Sequence, residues 1–354
     1  MRKLICQSPG VAVLVEYEDR EIRENEVRIR VEFASPKHGT EAADFRGTTP
    51  FIDGRYDPDW QVFMPREAEE PRGIQYGDLP LGNMFVGTVI EKGAKVTEYD
   101  IGDRVCSYGS IQETHIREAV SNFRLRKMDS KASVKNAVCY DPAQFALGAV
   151  RDAHVRAGDN VVIIGLGAIG QIAVQLAKKA GASIVIAVDP ISRRRGIARR
   201  HGADHALDPS ACDVGLEIKR LTGRLGADAV IETSGNVQAL QSGLKGLAYG
   251  GTLAYVAFSK PFPAGLWLGQ EAHFNYGHII FSRACSEPNP DHPRWTRRRV
   301  EDVCWSLLMD GYLDCEEIIY PVVDFGFSAE AFSRYVDTHP DESIKLGITF
   351  GGLK

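Results

Sequence analysis

Apolar and polar residues alternate in short runs through the first 150 residues of the chain. Val11-Ala12-Val13-Leu14-Val15 is apolar, and Glu26-Val27-Arg28-Ile29-Arg30-Val31-Glu32-Phe33 alternates with a period of two. That period marks a strand with one buried face. Phe85-Val86-Gly87-Thr88-Val89-Ile90-Glu91 and Gly102-Asp103-Arg104-Val105 continue the series, cut by glycine turns. The pattern predicts a small β-barrel or sandwich. Between 48 and 80 the periodicity stops, and Pro50, Pro58, Pro65, Pro71 and Pro80 are interleaved with Phe51, Tyr56, Trp60, Phe63 and Tyr76. A loop of this length is either functional or unstructured, and its aromatics favour an ordered lid.

From about residue 151 the pattern changes to strand–helix alternation. Asn160-Val161-Val162-Ile163-Ile164 reads as a fully buried strand, and 171–180 as an amphipathic helix. A strand over 183–188, a helix over 192–201, and strands over 227–231 and 251–256 follow. Units of this kind build a parallel sheet with helices on both faces, so the fold class is α/β with a doubly wound half. The last segment predicts a helix near 296–311 and strands over 317–320 and 344–348.

Length and composition narrow the function. A chain of 354 residues is long enough for two domains. Its net charge is −5 and its pI about 6.0, which leaves no basic footprint for nucleic acid. The clusters Arg193-Arg194-Arg195 and Arg297-Arg298-Arg299 are expected on helix faces or near a phosphate. Seven scattered cysteines, without a CxxC pair, argue against a disulfide framework or a zinc knuckle. The N-terminus turns polar too early for a signal peptide, and the apolar stretch 161–177 is broken by three glycines. The expectation is a cytoplasmic protein with no membrane segment.

The strongest chemical signal is Gly165-Leu166-Gly167-Ala168-Ile169-Gly170, placed between an apolar strand and a helix. In that context Gly165 permits a tight turn, Gly167 lets the backbone approach a pyrophosphate, and Gly170 lets helix and strand pack closely. The helix N-terminus, at Ala168 and Ile169, offers amides to the phosphates. Asp189, 24 residues after Gly165, ends the second strand where an acid bonds the ribose hydroxyls. A carboxylate there repels a 2′-phosphate, so NAD is expected and NADP is less favoured. Arg193 and Arg194 stand beside it, and an Arg can accept that phosphate. A methyltransferase also uses a Gly-rich turn and an acid, but it explains the β-rich first half poorly.

Taken together, Gly39-Thr40-Glu41, Leu81 to Val89, Gly102-Asp103-Arg104-Val105, the glycine motif and Leu247 to Thr252 resemble the medium-chain dehydrogenase/reductase family of alcohol, sorbitol and threonine dehydrogenases. The resemblance implies a GroES-like catalytic domain over 1–147, a Rossmann NAD-binding domain over 148–288, and a C-terminal return to the catalytic domain over 289–354. Zinc members carry a Cys before Gly-Thr/Ser-Asp, a His-Glu pair after Leu-Gly, and a third ligand ahead of the cofactor domain. Here those slots hold His38, Asn83-Met84 and Tyr140-Asp141-Pro142. The four-cysteine structural lobe is missing. Catalytic zinc needs three good ligands and an open position, so neither a catalytic nor a structural zinc is expected. His201 and His205, spaced i, i+4, are separated by Gly202 and are not expected to share a helix face.

Without zinc, oxidising an alcohol needs a general base near neutral pH. The residues expected to carry it are His38 as base, Asp141 as its carboxylate partner, and Thr40 and Asn83 as polar contacts, with Thr40 matching the family's proton-relaying hydroxyl. Glu41 is expected to support the site rather than react. The alternative for His38 and its neighbours is that they merely fill a former metal site. The expected function is hydride transfer between a secondary alcohol, polyol or sugar-like, and NAD. A quinone or enone reductase using NAD(P)H, and a non-catalytic NAD-binding protein, are the alternatives. The implied partner is a small alcohol or carbonyl compound. Resemblance also implies a homodimer or homotetramer joined through the edge strand of the Rossmann sheet, with Ile279-Ile280-Phe281 as the candidate edge.

Overall fold

A computed structural model describes residues 1–351 except 68, 72, 259, 260, 263 and 264. Two compact units emerge, Met1–Val138 with Ile319–Lys354, and Cys139–Ile318.

In the first unit the ten-residue strand Glu26–Ser35 organises the sheet. Met84–Lys92 pairs antiparallel along most of its length. Thr114–Glu118 pairs with its first half, and the C-terminal strand Lys345–Thr349 with Phe33 and Ala34. Arg104–Tyr108 and Arg126–Met128 extend the sheet beyond Met84–Lys92, and Ile319–Asp324 lies beside the C-terminal strand. The expected alternation is realised: Val27, Ile29 and Val31 are buried, with Phe45, Phe85, Leu346 and Ile348 in the same core. Burying such side chains contributes roughly 1.5–3 kcal/mol each. The C-terminal residues therefore belong to this unit because their apolar face completes its core. The expected strand at 317–320 lies later, over Ile319–Asp324.

The segment 48–80 is more regular than its composition suggests. Gly54–Asp57 and Val62–Pro65 form an antiparallel hairpin with Tyr56 opposite Phe63. Phe51 and Tyr56 each pack against Phe63 with ring centroids 5.5 Å apart. Trp60 at the turn is exposed. Residues 68 and 72 lie outside the described residues.

The second unit holds a six-stranded parallel sheet. Read across it, the strands are His205–Leu207, Ile184–Val188, Asn160–Ile164, Ala227–Glu232, Leu247–Tyr255 and His278–Phe281. Numbered along the chain this is the Rossmann order 3-2-1-4-5-6. The central strands are near-continuous runs of buried Val, Ile and Ala, as a sheet covered on both faces requires. His278–Phe281 is one edge strand and His205–Leu207 the other. Residues 289–318 group with this unit rather than with a return segment starting at 289, and the first boundary falls at 138/139 rather than 147/148. The physical reason is helix Arg297–Met309, which buries Val300, Cys304, Leu308 and the carboxylate of Glu301. Glu301 accepts hydrogen bonds from the Tyr140 hydroxyl at 3.2 Å and Arg297 Nε at 3.1 Å. Among the described residues no helix is long and apolar enough to cross a membrane.

Gly87 tests the packing of the first sheet. A Cβ there would stand 2.3 Å from the backbone oxygen of Arg30 and 2.8 Å from Ile29 Cγ2. Because a backbone atom cannot step aside cheaply, Gly87→Ala is expected to cost about 2–4 kcal/mol. The check is a lower urea midpoint at unchanged m-value.

Candidate active site

The glycine turn sits at the carboxyl end of Asn160–Ile164, where the strand order reverses towards Ala227–Glu232. That reversal is where open α/β sheets place their ligands. Gly165 has φ +87°, a left-handed conformation open to glycine. A Cβ on Gly170 would lie 1.9 Å from the Gly165 carbonyl oxygen, so only glycine allows helix Ala168–Lys179 to come this close. Gly167 is the opposite case: a Cβ there would meet nothing within 4 Å. Gly167 also caps the helix without a side-chain hydrogen bond. An open backbone face beside uncapped first-turn amides at Ala168 and Ile169 fits a pyrophosphate. The residues present therefore fit a dinucleotide.

Asp189 ends the next strand and is almost wholly buried. Its Oδ2 accepts the Leu166 N–H and its Oδ1 the Ile191 N–H, both at 2.8 Å. Each carboxylate oxygen keeps a lone pair for a ribose hydroxyl. Arg194 Nη1 stands 3.7 Å from Oδ2. Arg195 instead donates to the Asp189 backbone oxygen at 2.7 Å and pairs with Asp208 at 2.9 Å.

Further residues at this site were not singled out from the sequence. Thr233 donates through Oγ1 to the Gly165 oxygen at 2.8 Å. Glu232 is fully buried, and its carboxylate accepts the N–H groups of Ser234 at 2.8 Å and Gly235 at 3.1 Å, with the Ser234 hydroxyl as a third donor. Burial pushes the Glu232 carboxyl up, against the opposing effect of these bonds. The signal was present: a polar run, 232–236, directly follows an apolar strand of the parallel sheet. Gln171, fully buried one turn into the helix, was read only as the start of an amphipathic pattern.

In the first unit, the segment 35–41 is held by groups far away in sequence. Ser35 Oγ donates to the Leu346 oxygen at 2.7 Å, and the Leu346 N–H donates to His38 Nε2 at 2.9 Å. Lys345 Nζ donates to the Pro36 oxygen at 2.6 Å. Thr40 opens the short helix Thr40–Arg46. Glu41 joins this segment to the next one: its carboxylate accepts the Lys37 N–H at 2.6 Å and the Gly82 N–H. The Asn83 N–H donates to the Ser35 oxygen at 3.1 Å. Asn83 Nδ2 is buried with no hydrogen-bond partner among the described residues. His38, Thr40 and Asn83 thus lie on two segments that Glu41 and Ser35 tie together. Asp141 belongs to the other unit, buried in the first turn of helix Tyr140–Asp152.

The expected zinc slots hold His38, Asn83 and Met84 in this unit and Asp141 in the other. His38 Nε2 already accepts an amide proton, Asn83 offers an amide, and Met84 is fully buried in its strand. Among the described residues no group of three or more His, Cys, Asp or Glu could hold a metal. His201 and His205 lie on different elements, the end of a helix and a strand, separated by Gly202 at φ +111°.

Comparison with known proteins decides the family. Residues 168–285 match the family model described as zinc-binding dehydrogenase. Over 350 residues the chain is 63% identical to D-guloside 3-dehydrogenase of Escherichia coli (strain K12), covering 99% of this chain and 100% of that protein. The chain is a medium-chain dehydrogenase/reductase. As a medium-chain dehydrogenase/reductase it is an oxidoreductase of the alcohol dehydrogenase type. Its fold is shared with 2R,3R-butanediol dehydrogenase from Bacillus subtilis, at TM-score 0.75 and 20% identity over 98% of this chain and 99% of that one. It is shared as well with a short chain alcohol dehydrogenase from E. coli CFT073 complexed with NADH, at TM-score 0.74 and 19% identity over 99% of each. The segment matched by the zinc-binding family model lies wholly in the second unit of this dehydrogenase/reductase, apart from His38, Asn83 and Met84.

Burial raises the Glu41 carboxyl to about 7, despite the opposing pull of the Lys37 and Gly82 amides and the Lys345 ammonium. The folded protein then holds this proton more tightly than the unfolded chain does. Its stabilising contribution is full below the ordinary value of 4.5 and is lost as pH rises through about 7. Unfolding free energies from pH 4 to 9 are expected to show a decline of about 3 kcal/mol from this group. Glu41→Gln should remove that slope, whatever its offset in absolute stability.

Proposed function

We propose that this enzyme transfers hydride between a sugar-like secondary alcohol, of the glycoside class, and NAD, without a catalytic zinc. The observation that carries the reading is 63% identity over the whole length of a protein named for dehydrogenating a D-guloside at position 3. The polar groups of His38, Thr40 and Asn83 suit a hydroxylated substrate better than an apolar one. NAD is favoured over NADP because the buried Asp189 carboxylate opposes a 2′-phosphate.

In this reading His38 takes the hydroxyl proton. The Leu346 N–H on Nε2 favours the neutral ring at rest, which is the state a base needs. Taking up the proton at Nε2 then requires that amide to let go. Thr40 relays the proton, and the Asn83 amide, whose Nδ2 has no partner among the described residues, donates to the substrate oxygen. What a nicotinamide cofactor supplies is acceptance of the hydride from the carbinol carbon. The assembly is a homodimer or homotetramer, paired through the edge strand His278–Phe281, around which Phe274, Tyr249, Tyr276 and Phe281 are exposed. Seven cysteines without a disulfide suit a reducing cytoplasm.

Protein freed of metal by chelation is expected to form NADH from NAD and a glycoside of the guloside type, with added zinc giving no increase. His38→Ala should lower kcat by about 100-fold or more at unchanged affinity for NADH. An unchanged rate would remove His38 from the chemistry, and a rate that zinc restores would remove the metal-free reading. Phe281→Asp is expected to shift the native mass towards the monomer in sedimentation, since a charge on a parallel-sheet edge opposes pairing.

A further inference from the structure

We propose that Gln171 is a positioning residue for the adenosine end of the cofactor site, and that it sets the preference between NADH and NADPH. The inference rests on the NAD reading above. Gln171 is fully buried, and its Nε2 donates to the Leu166 oxygen at 3.3 Å and to the Arg194 oxygen at 2.8 Å. Two carbonyls on one side fix the orientation of the amide, because turning it would set Oε1 against both. Oε1 is buried without a partner among the described residues. A buried unpaired acceptor works against stability, so what the amide offers at this position is its two donated bonds.

The bonds close a ring around Asp189. Leu166 gives its N–H to Asp189 Oδ2 and its carbonyl to Gln171. Arg194 gives its carbonyl to Gln171 and holds its guanidinium 3.7 Å from the same Asp189 oxygen. The chain of contacts Asp189–Leu166–Gln171–Arg194–Asp189 joins the glycine turn, its helix and the start of the next helix. Gln171 is its only side-chain amide. The two groups whose balance decides the fate of a 2′-phosphate are the carboxylate that repels it and the guanidinium that attracts it. Gln171 fixes the distance between them by holding the backbone on which Arg194 stands. Cutting the ring at Gln171 leaves the charges in place and removes only their registration.

The test uses the full chain with Gln171→Met, which keeps the volume but has no donor, and Gln171→Asn, which keeps the amide one methylene short. Dissociation constants are measured for NADH, NADPH and ADP-ribose by calorimetry, with kcat at saturating NAD. Both variants are expected to bind NADH and ADP-ribose about tenfold more weakly, the scale of one lost hydrogen bond. The NADH-over-NADPH preference should shrink, and kcat at saturation should stay within about twofold. If the methionine variant fails to fold, the asparagine variant carries the same test. Constants and preference within twofold of the wild type, even with a lower melting temperature, would overturn the proposal and leave Gln171 a packing residue. Wild-type protein binding neither dinucleotide would instead overturn the cofactor reading itself.

Discussion

The first unit depends on its last strand. Lys345–Thr349 adds two residues of pairing to Glu26–Ser35, yet its backbone and side chains hold most of the segment that follows that strand. Leu346 binds His38 through its N–H and Ser35 through its carbonyl, and Lys345 binds the Pro36 carbonyl. A loop bearing a proline and two glycine-flanked polar residues has little conformational preference of its own. It keeps one shape here because the Ser35 hydroxyl, the Pro36 carbonyl and His38 Nε2 each find a partner more than 300 residues away. The apolar side of the same strand, Leu346 and Ile348, is fully buried in the core. Core burial supplies the stability, and the polar side of the strand directs it to the site.

The second unit solves a related problem with backbone amides. Two buried carboxylates, Asp189 and Glu232, stand at the carboxyl ends of the two strands that flank Asn160–Ile164 in one parallel sheet. Each is met by N–H groups of the loop that follows it: Ile191 for Asp189, and Ser234 and Gly235 for Glu232. Asp189 additionally takes Leu166 from the glycine turn. Buried charge without such partners would cost several kcal/mol. With them, the loops that border the cofactor crevice are fixed by the same bonds that make the carboxylates tolerable. Thr233 adds the contact that joins the two loops, through the Gly165 carbonyl.

What the sequence disclosed follows the range of the interactions involved. Gly165, Gly167 and Gly170 were legible because the motif is local; the structure gives Gly165 a φ of +87°, Gly167 an open face and Gly170 a 1.9 Å approach to a backbone oxygen. The strands over 160–164 and 184–188 were legible from continuous apolar runs. The hairpin over Gly54–Pro65 was not, because proline, glycine and charge break its alternation and its aromatic packing is its own. Residues 289–318 were assigned to the C-terminal return on resemblance alone, whereas the buried Glu301, which bonds their helix to Tyr140, goes with their place in the second unit. The Leu346–His38 bond was invisible for the plainest reason, a backbone donor 308 residues distant.

The chemistry of the altered metal slots can be argued from the sign of the groups that fill them. A cation site gathers lone pairs. Here the His38 lone pair at Nε2 faces an amide proton, and Asn83 turns a buried, unpaired N–H donor into its surroundings. A donor of that kind repels a metal ion and attracts an oxygen. Glu41, the acid nearest in sequence, spends both oxygens on backbone amides and is pushed by burial towards its neutral form. On the proposed function, the three residues together suit a neutral, oxygen-bearing ligand. A hydroxyl group brings both an oxygen to accept from Asn83 and a proton to surrender, which is the pair of properties that an alcohol entering dehydrogenation must offer.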